Sequence, residues 1–157
     1  MVTNFQIPPV MLTLQIDSSI PCISPLGEAI HSLCLYATDS TECASQMQLA
    51  VIEAINNIVL HAYHNRKGNP ITVKWNNENR QLRIEITDFG DSMTAPPIPE
   101  LAPWDAENGR GWWIINACVD EYDYKVVFCD PQNAGPETGK PVTSPEKANI
   151  LTLIKHY

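Results

Sequence analysis

Nothing in this sequence approaches the run of about twenty apolar residues that a membrane-spanning helix requires. Its opening stretch, MVTNFQIPPVMLTLQ, also lacks the basic start and unbroken apolar core of a secretion signal. Positive charge is scarce: 10 Lys and Arg stand against 18 Asp and Glu, a formal net charge of −8. That balance repels a phosphate backbone, so no nucleic-acid partner is expected, and without a spanning run no membrane is expected either. Cysteine is present without a pattern. Cys22, Cys34, Cys43, Cys118 and Cys129 never fall in C-x-x-C, which argues against a disulfide framework or a zinc site and fits reduced thiols in a cytoplasm. Residues 91–108 have neither a glycine nor a single Lys or Arg, yet hold Pro96, Pro97, Pro99 and Pro103. What remains is ordinary: 157 residues, 44% hydrophobic and 18% charged, predict one globular domain over 1–157 with a single core.

Residues 10–16 (VMLTLQI) follow Pro8-Pro9 and predict a first strand, at a sheet edge because proline cannot donate to a ladder. Pro25 suits the first turn of a helix capped by Ser24 and running to about Ala37, with Leu26, Ile30, Leu33 and Cys34 on its apolar face. Residues 39–42 (DSTE) offer caps for a second helix, expected to continue to Tyr63 and end in the basic, glycine-terminated segment 64–68. The alternating runs 71–75 (ITVKW) and 82–87 (LRIEIT) predict an antiparallel hairpin turning over 76–79. A loop as long as 91–108 inside a compact domain is usually functional or disordered. A third helix follows over 112–119, then a strand over 122–129, an irregular excursion over 130–148 and a last strand over 149–156. The sum is a two-layer α/β sandwich, a mostly antiparallel sheet with three helices on one face.

The second helix is an awkward core element. Apolar residues recur at Leu49, Ala50, Val51, Ile55, Ile58, Val59 and Ala62, yet Glu53, Asn57 and His61 fall four apart and share one side. A carboxylate and a carboxamide one turn apart are costly to bury without partners. Asn57 offers an oxygen suited to Mg2+, and Glu53 a carboxylate able to orient or deprotonate a hydroxyl. Asp88, which only accepts when ionised, can read an exocyclic amine such as adenine's, with Gly90 letting the backbone approach a flat ring. Gly109, Arg110 and Gly111 precede a helix whose free N–H groups and dipole form an anion site, and Arg110 adds a fork-shaped cation. Singly, each has a commonplace reading: a hydrogen-bonded polar pair, a strand-ending turn, a tight entry into a helix. Of Trp112 and Trp113, one is expected in the core and the other at a contact surface.

Taken together and in this order, the three features resemble the N-box and two glycine boxes of the GHKL ATPase superfamily. Within it the chain is most similar to the anti-sigma-factor serine/threonine protein kinases of bacterial partner-switching systems. Their N-box is matched by Leu49, Ala50, Glu53, Ala54, Asn57, His61, Ala62 and Tyr63, their D-x-G by Asp88 and Gly90, and their last box by Gly109, Arg110, Gly111, Trp112, Trp113 and Ile114. The resemblance implies a Bergerat-type ATP-binding fold and the use of ATP and Mg2+. It implies that Glu53 is the catalytic base, Asn57 the Mg2+ ligand and Asp88 the adenine reader. Gly109 to Gly111 become the phosphate cradle, Arg110 a γ-phosphate contact and residues 91–108 the ATP lid. It further implies a STAS-domain antagonist as substrate, a sigma factor as partner and a homodimer. Ser92 stands where a glycine or proline is frequent, and with the unusual lid this motivates an alternative: a non-catalytic switch of the same fold that binds ATP or a partner without transferring phosphate.

Overall fold

The computed structural model describes residues 9–98, 109–129 and 146–157. Its strands are β1 (Val10–Asp17), β2 (Pro70–Glu78), β3 (Gln81–Asp88), β4 (Glu121–Cys129) and β5 (Glu146–His156), paired in the order β1-β2-β3-β5-β4. Every pairing is antiparallel, so the sheet expected to be mostly antiparallel is wholly so among the described strands. Side chains alternate across a strand, and one face of the sheet's middle carries Ile71, Val73, Trp75, Leu82, Ile84, Ile86, Leu151 and Leu153, all buried. Against that face pack α1 (Ile23–Thr38), α2 (Thr41–Asn57) and α3 (Gly111–Cys118), which contribute Ile30, Met47, Ile55 and Ile115 to the same core. On the other face lie polar residues such as Arg83 and Glu85, an ion pair at 2.8 Å. This is the α/β sandwich that periodicity and alternation predicted. Among the described residues no helix is long and apolar enough to cross a membrane.

Element boundaries differ from expectation in four places, each with a local cause. A 3₁₀ turn, Ile20–Cys22, leads straight into α1, so Ser24 lies inside the helix rather than capping it, while Pro25 keeps its place in the first turn. The β2–β3 turn is not 76–79 but the two residues Asn79 and Arg80, both left-handed at φ 52° and 58°, the pair of positive φ values that matches strand twist. Asn76 and Asn77 therefore belong to β2. Buried Asn77 is held there by a hydrogen bond from the Tyr157 hydroxyl, and Arg80 Nε donates to Tyr157 O at 2.6 Å. The last strand begins at Glu146, three residues before the expected start, which shortens the 130–148 excursion; its residues 130–145 lie outside the described ones.

The fourth difference shapes the site. Ser40 caps α2 as expected, accepting from Cys43 N at 3.2 Å, but the helix does not run regularly to Tyr63. After Asn57 it widens into a π-helical turn, Ile58–Ala62, with Tyr63 N donating to Ile58 O at 2.9 Å. His64 and Asn65, left-handed at φ 51° and 60°, end it well before Gly68. Such wide turns are rare and concentrate at functional sites. Here the Ala62 carbonyl accepts from Asp91 N at 2.9 Å, which draws the chain leaving β3 onto the end of α2.

Candidate active site

The polar pair of α2 meets the beginning of α3. A β-carbon added to Gly111 would lie 3.2 Å from Glu53 Oε2 and 3.4 Å from both polar atoms of the Asn57 amide. Glycine thus keeps open a gap walled by a carboxylate, a carboxamide and the first N–H groups of a helix. Glu53 is half-buried, and that burial raises its carboxyl above the ordinary value. Asn57 Nδ2 is buried with no hydrogen-bond partner. A buried polar atom left unmatched marks a place where a ligand, ion or water completes the shell. Rotating the amide presents its oxygen there instead, so Asn57 fits as a ligand for Mg2+.

A cavity of about 420 Å³, within the usual range for small-molecule sites, brings four of the expected residues together. Asn57, Asp88, Gly109 and Gly111 line it, with Trp112, Tyr124 and Leu151 as apolar wall. Trp112 is buried and packs at a tilt on Tyr122, ring centroids 5.8 Å apart, while Trp113 is exposed, the division expected of the pair. Glu53 is not part of the lining but stands at its border behind Gly111. Arg110 occupies the N-cap position of α3, exposed and outside the lining. Gly109, at φ 100°, makes the turn into that helix.

Gly90 has a packing reason that its motif did not suggest. Its missing β-carbon would sit 2.5 Å from Ala62 O and 2.6 Å from Ala62 C, and Gly90 does not line the cavity. The glycine is needed for backbone contact with the π turn. It also fixes Asp88, whose Oδ1 accepts from Gly90 N at 2.9 Å. Burial pushes the Asp88 carboxyl upward, opposed by hydrogen bonds from Asn149 and Gly90 and by the charge of Lys147.

The first residues of the expected lid are each held. Asp91 Oδ2 lies 2.7 Å from His64 Nε2, Ser92 Oγ donates to Asn149 Oδ1 at 2.6 Å, and Met93 N donates to the Tyr124 hydroxyl at 2.9 Å. Residues 99–108, Trp104 among them, lie outside the described ones. Three of these contributors escaped sequence reasoning. Asn149 and Tyr124 sit in otherwise ordinary strands; the only hint was an asparagine opening an apolar run. Tyr63 was visible as a motif position, but not its work: its hydroxyl accepts from Phe89 N and donates to Pro70 O, both at 2.8 Å, tying α2 to both ends of the hairpin.

The chain is similar to the serine-protein kinase RsbW of Listeria innocua, 27% identical over 119 residues that cover 70% of this chain and 76% of the relative. With RsbW of Bacillus mycoides it shares 32% over 95 residues, 55% of this chain and 57% of the relative. With RsbW of Listeria monocytogenes serovar 1/2a the figure is 25% over 119 residues, again 70% and 76%. Residues 26–132 match the histidine kinase-like ATPase domain, a span that holds Glu53, Asn57, Asp88 and the Gly109–Gly111 turn and covers well over half of the sequence. The chain belongs to the histidine kinase-like ATPase domain family.

Proposed function

We propose that this chain is an ATP-dependent serine/threonine protein kinase that phosphorylates a STAS-type antagonist and, as an anti-sigma factor, holds a sigma factor in a partner-switching pathway. The observation that carries this reading is the gap at Gly111, where Glu53, the unmatched amide of Asn57 and the start of α3 converge beside a cavity that Asp88 also lines. The names of its relatives support a serine hydroxyl as acceptor. In this reading Asp88 accepts from the adenine amine, and Gly109 to Gly111 with the α3 N-terminus hold the phosphates. Asn57 ligates Mg2+, which when bound neutralises charge on the triphosphate. Glu53, its basicity raised by burial, takes the proton from the attacking hydroxyl at the cavity border. Arg110, at the entry to α3, meets the γ-phosphate. A cytoplasmic homodimer completes the proposal; edge strand β1, with Met11 68% and Leu12 39% exposed, supports it as the pairing surface.

The test is to incubate the protein with γ-labelled ATP, Mg2+ and a purified, folded STAS-type antagonist. Phosphoserine or phosphothreonine on the antagonist is expected, lost in Glu53→Gln. If ATP raises the melting temperature but no phosphoprotein forms, the kinase assignment fails and the non-catalytic switch replaces it.

A further inference from the structure

Asp88 is not free to turn. Its Oδ1 accepts two hydrogen bonds, from Gly90 N at 2.9 Å and from Asn149 Nδ2 at 2.8 Å. Its Oδ2 accepts none among the described residues, and Asp88 lines the cavity. Asn149 is just as fully engaged at 1% exposure. The second hydrogen of its amide goes to Gly90 O at 3.1 Å, with Asp91 O at 3.5 Å, and its Oδ1 accepts from Ser92 Oγ at 2.6 Å. Lys147 Nζ in turn donates to Ser92 Oγ at 3.0 Å. These bonds all run one way, from Lys147 through Ser92 and Asn149 to Asp88, and bonds so aligned polarise and reinforce one another.

We propose that Asn149, oriented by Ser92 and Lys147, is a positioning residue that presents a single open carboxylate oxygen of Asp88, so that the site takes purine nucleotides with a 6-amino group and rejects their 6-oxo counterparts. The inference rests on the nucleotide reading above. A carboxylate only accepts, so the 6-amine satisfies Oδ2, whereas a 6-oxygen would place two acceptors face to face in a buried site. A 6-oxo purine does carry a donor on the adjacent ring nitrogen, and a carboxylate free to swivel would reach it. Asn149 prevents that swivel by holding Oδ1. Ser92, a departure from its family's usual glycine or proline, thereby gains a role: it fixes which way the Asn149 amide faces.

The experiment is calorimetric titration with Mg·ATP and Mg·ITP, which differ at the purine 6-position. Wild type is expected to prefer ATP by about 100-fold or more, the discrimination available to a site built to bond a group that the rival lacks. Asn149→Leu should lower that ratio by about tenfold and Ser92→Ala by less. Asn149→Asp keeps the test alive should the leucine variant not fold. The new carboxyl and that of Asp88 then share a proton, with Lys147 and Tyr63 as neighbouring titratable groups. The pair holds that proton more readily as pH falls, and the protonated added carboxyl donates to Oδ1 as the amide did, so the ATP preference should be greater at about pH 5.5 than near pH 8, relative to wild type at each pH. An ATP-to-ITP ratio unchanged in Asn149→Leu, or equal at both pH values in Asn149→Asp, reduces Asn149 to packing and overturns the inference. Equal binding of ATP and ITP by wild type overturns it too while leaving the nucleotide site intact. Binding of neither nucleotide overturns the nucleotide reading itself, and this inference with it.

Discussion

Glu53 sits on α2 with its carboxyl partly withdrawn from water, and nothing cationic is among the causes of its raised proton affinity; desolvation alone is. The same burial that makes it a better base makes its ionised form a burden on the fold. Glu53→Gln keeps the shape and removes both. Phosphate transfer should fall by about 10²–10⁴, the usual contribution of a general base, while Mg·ATP affinity stays within a few-fold. The stability effect has a definite sign. Because the folded carboxyl lies above its unfolded value, wild type loses stability as pH rises through that interval, and the glutamine variant does not. The variant should therefore melt higher than wild type at pH 7–8, with the gap closing as pH falls toward about 4, where the unfolded carboxyl is itself protonated. Thermal scans at several pH values check this; a variant that melts lower at pH 8 would mean that Glu53 has a stabilising partner.

Between elements, two glycines that look alike in sequence separate. Gly90 touches the backbone of the π turn, where a β-carbon would have to displace Ala62 O from 2.5 Å. Backbone cannot step aside as a side chain does, so Gly90→Ala should destabilise by about 1–3 kcal/mol, read as a lower denaturant midpoint. Gly111 faces side chains at 3.2 and 3.4 Å and begins α3, where alanine is a better helix former. Gly111→Ala should leave the midpoint nearly unchanged yet weaken Mg·ATP binding at least about tenfold, since the methyl group fills the gap between Glu53, Asn57 and the helix start. A result in which Gly111→Ala unfolds the protein but preserves affinity would assign that gap to packing.

At the scale of the whole molecule, α2 and α3 pack directly on each other, and the cavity lies where their ends, the chain after β3 and β4 converge. A ligand that bridges those pieces binds only the folded state. Mg·ATP at about 100 times its dissociation constant should add about 2.7 kcal/mol to the unfolding free energy, a shift of several degrees for a chain of this size. Differential scanning with ATP, with ITP and with Mg2+ alone measures it. Edge strand β1 offers a second test. If it pairs two copies, Leu12→Lys should move the sedimentation equilibrium toward monomer while leaving ATP affinity intact, because a charge on an open edge opposes strand pairing.

Much of this was legible in the residues themselves. Alternation at 71–75 and 82–87 marked β2 and β3, the three-and-four spacing of apolar residues marked α2, and Ser40 marked its cap, since these signals depend on near neighbours and on which side faces the core. Asn57, Asp88, Gly109 and Gly111, which line one cavity, and Glu53 at its border each had a commonplace reading alone and stood out only through their joint order, while Arg110 lies outside the lining. The turn at Asn79 and Arg80 and the widening of α2 into a π turn were not legible. Both depend on partners far along the chain, Tyr157 for the former and Asp91 for the latter. So does the role of Gly90, set by Ala62, and the hold on Asp88, set by a residue 61 positions away. Sequence by itself determined which chemical groups this protein possesses and which elements carry them. Only the tertiary structure decided that one oxygen of Asp88 stays open, that the amide of Asn57 lacks a partner and that Gly111 leaves room between α2 and α3, because hydrogen bonds and empty space are properties of pairs that sequence distance does not reveal.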